Sequence, residues 1–89
     1  MQNVRIKISG CVQRVGFRYS AVEMASRNNI RGYIMNMHDG SVQMEAEGEP
    51  HDVDAFVSWC RKGPQGARVE FLECTPGDVQ GHASFEIRH

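Results

Sequence analysis

Residues 4–18 read Val4-Arg-Ile-Lys-Ile-Ser-Gly10-Cys-Val-Gln-Arg-Val-Gly16-Phe-Arg18, and the way this stretch changes character decides the fold. Val4, Ile6 and Ile8 alternate with Arg5, Lys7 and Ser9, so the first half predicts a strand with one buried and one wet face. The period then changes. Phe17, Ala21, Met24 and Ala25 recur at helical spacing, which predicts a helix from about Phe17 to Asn29. Between the two lies a connection bounded by Gly10 and Gly16.

Working outward, Arg31 to Asn36 reads as a second strand. Val42, Met44 and Ala46 alternate with Gln43, Glu45 and Glu47 in a third, and Asp39-Gly40 supplies the turn chemistry of a hairpin between them. Glu49-Pro50 marks the start of a second helix, because proline at the first helical position forfeits no backbone bond. Its buried stripe is Val53, Phe56, Val57 and Cys60, and Gly63-Pro64 closes it after about Arg61. A strand from Ala67 to Cys74 with Val69 and Phe71 inward, a Pro-Gly loop, and a last strand alternating Phe85 and Ile87 with Glu86 and Arg88 complete the chain.

This order is βαββαβ with a short extra strand. It predicts an α+β, ferredoxin-like α/β sandwich in which two helices cover one face of a mixed, mainly antiparallel sheet, as one domain over residues 1–89. If the third strand lies antiparallel between the first two, those two run parallel and end on the same sheet edge. The loop after strand one then faces Asn36.

Composition narrows the function. Ten Lys plus Arg stand against eleven Asp plus Glu, a net charge of −1, so no general field gathers nucleic acid or anionic membrane and any anion site is local. No apolar run reaches the roughly 18 residues of a membrane span. The charged opening, Met-Gln-Asn-Val-Arg-Ile-Lys, is unlike a secretory signal. A cytoplasmic monomer is the expectation. Cys11, Cys60 and Cys74 fit neither a disulfide framework nor a zinc site and read as free thiols. His38, His51, His82 and His89 lack ligand spacing and read as residues of solvated turns or termini, so no metal or other cofactor is expected. The wet face of strand one shows no aromatic for stacking RNA bases.

The connection Gly10 to Phe17 has the composition of an anion cradle. Consecutive N–H groups from a turn, followed by the free N–H groups of a helix start, bind anions without excess basic residues, and Arg18 adds a permanent cation with bidentate geometry. The glycines alone fit an ordinary strand-to-helix connection equally well. Arg18 alone fits a site cation and a solvated charge equally well, at a helix start where the dipole disfavours it. From spacing alone, Asn36 reads as a strand-end cap.

Gly10-Cys-Val-Gln-Arg-Val-Gly-Phe-Arg18, followed by Gly32-Tyr-Ile-Met-Asn-Met-His-Asp-Gly40, closely resembles the two signature segments of the acylphosphatases. Element order and the closing Phe85-Glu-Ile-Arg88 extend the resemblance over nearly the whole chain. It implies a metal-independent hydrolase that splits the carboxyl-phosphate bond of small-molecule acyl phosphates, with inorganic phosphate as product and competitive inhibitor. It implies Arg18 and Asn36 as catalytic residues, Arg18 clamping the phosphoryl oxygens and Asn36 positioning the attacking water. The phosphate-binding loop it implies is Gly10, Cys11, Val12, Gln13, Arg14, Val15, Gly16, Phe17 and Arg18. The competing reading is a noncatalytic regulatory domain that binds phosphate or carbamoyl phosphate.

Two positions depart from the pattern. The family usually carries glycine where Arg14 stands; if that position is left-handed, a side chain there costs about 1–2 kcal/mol. Either Arg14 projects into water or it reaches the rim and strengthens substrate binding. Tyr33 stands where tryptophan is frequent and keeps an aromatic packing role. Cys11 lies within the implied cradle, where amides would activate a thiol, but no histidine is near it in sequence, and it reads as a small loop residue.

Overall fold

The computed structural model describes residues 1–89. Seven elements follow in order: β1 (Gln2–Cys11), α1 (Phe17–Arg27), β2 (Arg31–Asn36), β3 (Val42–Gly48), α2 (Pro50–Lys62), β4 (Arg68–Gly77) and β5 (Phe85–Arg88). The sheet order is β4-β1-β3-β2-β5. β3 runs antiparallel to both β1 and β2, and the short β5 pairs parallel with β2 at the other edge from β4. β1 and β2 therefore run parallel and end on one edge, the juxtaposition the sequence predicts.

The core lies between the sheet and the two helices. Ile6 and Ile8 of β1, Ile34 of β2, and Val42 and Met44 of β3 meet Phe17 and Ala21 of α1 and Phe56 and Cys60 of α2. These are the alternating and helically spaced positions of the sequence, and burying each large apolar side chain contributes about 1.5–3 kcal/mol. α2 begins on Pro50, with Glu49 as its N-cap. The predicted stripe is realised, Val57 being half-buried at its margin.

β4 departs from its predicted pattern. It extends to Gly77, so Pro76-Gly77 belongs to the strand instead of a loop, a place proline tolerates because β4 is an edge. Phe71, expected inward, is 62% exposed, whereas Leu72 packs against the core with Val69. The reason is a β-bulge: Ser9 faces Phe71 but Gly10 faces Val69, leaving Glu70 unmatched. One extra residue reverses the alternation beyond it. The same bulge explains Gly10, where a Cβ would stand 2.2 Å from the Arg68 carbonyl oxygen.

The helix-free face of the sheet is not uniformly wet. Glu45 and Glu47 of β3 point to it and are 6% and 1% exposed, because residues 78–84 cross over them. The Glu47 carboxylate accepts hydrogen bonds from the backbone N–H groups of Gln80, Gly81 and His82, the latter two at 3.1 and 3.0 Å. Asn3 Nδ2 donates to Glu45 Oε1 at 2.9 Å and to Glu47 Oε2 at 2.8 Å, and His82 Nε2 lies 3.0 Å from Glu45 Oε1. Burial pushes the Glu45 carboxyl up, but hydrogen bonds from His82 and Asn3 hold it below its usual value. Glu47 behaves the same way, with the Gln80 N–H, Asn3 and the His82 N–H outweighing burial. His82 is thus a latch residue, contrary to the solvated turn expected of it. Tyr33 keeps an aromatic role on this face, edge-on to His82 at 6.0 Å and beneath the Arg88 guanidinium at 4.1 Å.

Candidate active site

At the edge where β1 and β2 end, a cleft of about 270 Å³ is lined by Val12, Arg14, Gly16, Phe17, Arg18, Tyr19 and Asn36. Three anchors hold its loop. Val12 is buried in the core, Val15 packs against it, and Gln13 Nε2 donates to the carbonyls of Met37 and Ser41, each at 2.8 Å. Those carbonyls belong to the β2–β3 turn, so Gln13 fastens the loop to the turn that begins just after Asn36. Asp39 stiffens the turn by accepting from the Ser41 hydroxyl at 2.5 Å and the Ser41 N–H at 2.9 Å. These bonds and Lys7, 3.3 Å away, hold the Asp39 carboxyl at about 2.

With its side chains anchored, the loop leaves its amides unused. No backbone N–H from Gln13 to Tyr19 donates to another group of the protein. Gly16, at φ 75, is the N-cap of α1 and supplies no side-chain cap, and the first turn contains no acidic residue. Helix starts usually satisfy these donors with Ser, Thr, Asp or Asn. Here Arg18 occupies that first turn, where the helix dipole disfavours a cation. Free donors and a cation at one helix start form an environment that an anion stabilises.

The structure brings Arg18 and Asn36 to the same cleft. Arg18 is half-buried, forms no ion pair with a carboxylate, and has Nη1 3.4 Å from His89 Nδ1. Asn36 stands at the last residue of β2, and its Oδ1 is buried without a hydrogen-bond partner. A buried carbonyl oxygen without a partner costs about 1–3 kcal/mol. A strand-end cap uses that oxygen to accept a backbone N–H, and here it accepts none.

The implied loop divides into parts. Gly10 and Cys11 belong to β1, with Cys11 exposed and paired to Arg68, and neither lines the cleft. Gln13 is a tether. Arg14 is exposed on the cleft and adopts φ 63, so the position is left-handed and the strain foreseen for a side chain there is present. Tyr19, 74% exposed, lines the cleft without having been singled out from sequence. The available signal was an aromatic one place beyond Arg18 and off the buried stripe. No His, Cys, Asp or Glu lines the cleft. The three-residue group of such side chains that could hold an ion, Glu45, Glu47 and His82, lies on the opposite sheet face.

Comparison with known proteins agrees with this geometry. A family model described as acylphosphatase matches residues 4–87. The chain is 42% identical over 90 residues to an acylphosphatase of Anaeromyxobacter sp. (strain Fw109-5), covering 100% of this chain and 97% of that one. It is 45% identical to an acylphosphatase of Anaeromyxobacter dehalogenans (strain 2CP-C), covering 94% and 91%. The crystal structure of acylphosphatase from Bacillus subtilis superimposes over 100% of both chains with a TM-score of 0.97 at 32% identity. A chain that carries both signature segments, sets them on one sheet edge and matches these proteins from end to end belongs to the acylphosphatase family.

Proposed function

We propose that this protein hydrolyses acyl phosphates to a carboxylate and inorganic phosphate, with water as the nucleophile. The observation that carries the proposal is the run of unpaired amides from Gln13 to Tyr19 beside Arg18. The phosphoryl oxygens lie among these donors, and the Arg18 guanidinium meets them as a bidentate cation. Asn36 Oδ1 accepts a hydrogen bond from a water, orienting its oxygen in line with the acyl–phosphate bond. The water oxygen bonds to phosphorus as the bond to the acyl oxygen breaks, and the electron pair leaves on the carboxylate. One water proton passes to bulk solvent or to the phosphate.

Because a carboxylate leaves readily, the residues need not supply a strong acid or a covalent nucleophile. Orientation and charge stabilisation carry the rate. The cleft offers no side chain suited to metal binding, and the proposal extends to metal-independent catalysis by a cytoplasmic monomer formed of one domain over residues 1–89. Inorganic phosphate fits the same cradle and competes with substrate.

The test is turnover of acetyl, benzoyl and carbamoyl phosphate by the purified protein. Hydrolysis of at least one is expected, and phosphate binding without any turnover would establish the regulatory reading instead. Arg18→Ala is expected to lose roughly 10³-fold in kcat/KM, about 4 kcal/mol of transition-state stabilisation. An unchanged rate would remove Arg18 from the mechanism. Asn36→Ala tests water placement in the same assay, with a loss of about 10²-fold expected.

A further inference from the structure

We infer that Arg14 makes the enzyme selective for acyl phosphates whose acyl part carries a second anionic group, such as a carboxylate. The inference rests on the acyl-phosphate reading of the cleft and narrows it. Arg14 and Arg18 both line the cleft, no acidic residue does, and neither arginine belongs to an ion pair. In a chain of net charge −1, this doubly positive patch is local. The amides and Arg18 suffice for one phosphoryl group, which leaves the charge of Arg14 uncommitted.

Placement separates Arg14 from an ordinary surface charge. Its φ of 63 is a conformation that a side chain adopts only at a cost. Gln13, directly before it, is fixed to two carbonyls at 2.8 Å, and Val15, directly after it, packs on the core. The guanidinium therefore projects from a fixed base on the cleft rim. Tyr19, 74% exposed, lines the same cleft with an aromatic ring. An acyl chain leaving the phosphoryl site along Tyr19, with a carboxylate at its far end, fulfils both features.

The test compares benzoyl phosphate with para-carboxybenzoyl phosphate, which share a ring and differ by one carboxylate, on the parent protein and on Arg14→Gln. The substitution retains a side chain at the left-handed position, so backbone strain is common to both proteins. The parent is expected to favour the carboxylated substrate in kcat/KM about fivefold at low salt, as suits an exposed charge pair. The preference should shrink as salt is raised and fall to about onefold in Arg14→Gln. Turnover of benzoyl phosphate with no preference in the parent, or with a preference that survives in Arg14→Gln, overturns this inference and leaves the acyl-phosphatase reading standing. Absence of turnover on both substrates overturns that reading, and this inference with it.

Discussion

At the scale of single residues, the site depends on backbone conformation as much as on side-chain chemistry. Arg14 takes a left-handed conformation at φ 63 where glycine would be unstrained. Arg14→Gly relieves about 1–2 kcal/mol of strain and returns part of it as entropy of the unfolded chain. A gain of up to about 1 kcal/mol in denaturant unfolding is the expected outcome, and a loss would mean that the guanidinium makes stabilising contacts. The placement of Arg18 and Asn36 in one cleft follows the signature segments, since the residues alone left Arg18 evenly balanced between a site and a surface role and Asn36 as a cap. Gly10 was legible as a special glycine but not for its true reason, the close approach of the Arg68 carbonyl across a bulge. That reason lies in a strand almost sixty residues away and leaves no local mark. The unpartnered Asn36 oxygen was likewise invisible, because satisfaction of a polar atom is a property of its surroundings.

Elements with a strong period were read correctly: both helices, the β2–β3 hairpin and the alternation of β1. The misread inward face of β4 has one cause, because the parity argument holds only while register is continuous and the bulge at Glu70 interrupts it. Sequence alternation also omits connections between elements, and Gln13 is the functional example. Its two hydrogen bonds join the loop before α1 to the turn after β2, holding the amide row and Asn36 in a common frame. Gln13→Ala removes both bonds and is expected to cost about 1–3 kcal/mol in stability. Since small displacements of positioned groups lower rates steeply, kcat should fall about 10-fold to 10²-fold. Stability and kcat both at parent values would show that the loop holds its shape on Val12 and Val15 alone.

For the molecule as a whole, the strap over residues 78–84 joins the two edge strands across the face that the helices leave open, and buried carboxylates fasten it. Glu45 and Glu47 have carboxyl groups held below their usual value of 4.5. Because these groups bind protons more weakly folded than unfolded, the stability they contribute is complete above that value and is lost as pH falls through their folded values. Thermal unfolding followed from pH 7 downward should therefore show a falling melting temperature in acid. Glu47→Gln places an amide among donors that need an acceptor, which is expected to cost about 2–3 kcal/mol at neutral pH and to flatten the acid limb. An acid limb unchanged in the variant would assign the loss to other carboxylates. The latch lies across the sheet from the cleft, so the variant tests stability separately from chemistry. The cleft itself draws its donors from the main chain, and this separates two kinds of inheritance. Under the proposed function, the side chain at position 14 can be exchanged over generations without erasing phosphate recognition, provided Val12, Gln13 and Val15 persist as anchors, so substrate range can drift while the reaction stays the same. In a library randomised at position 14 alone, variants should differ in which acyl group they prefer far more than in whether they hydrolyse acyl phosphates.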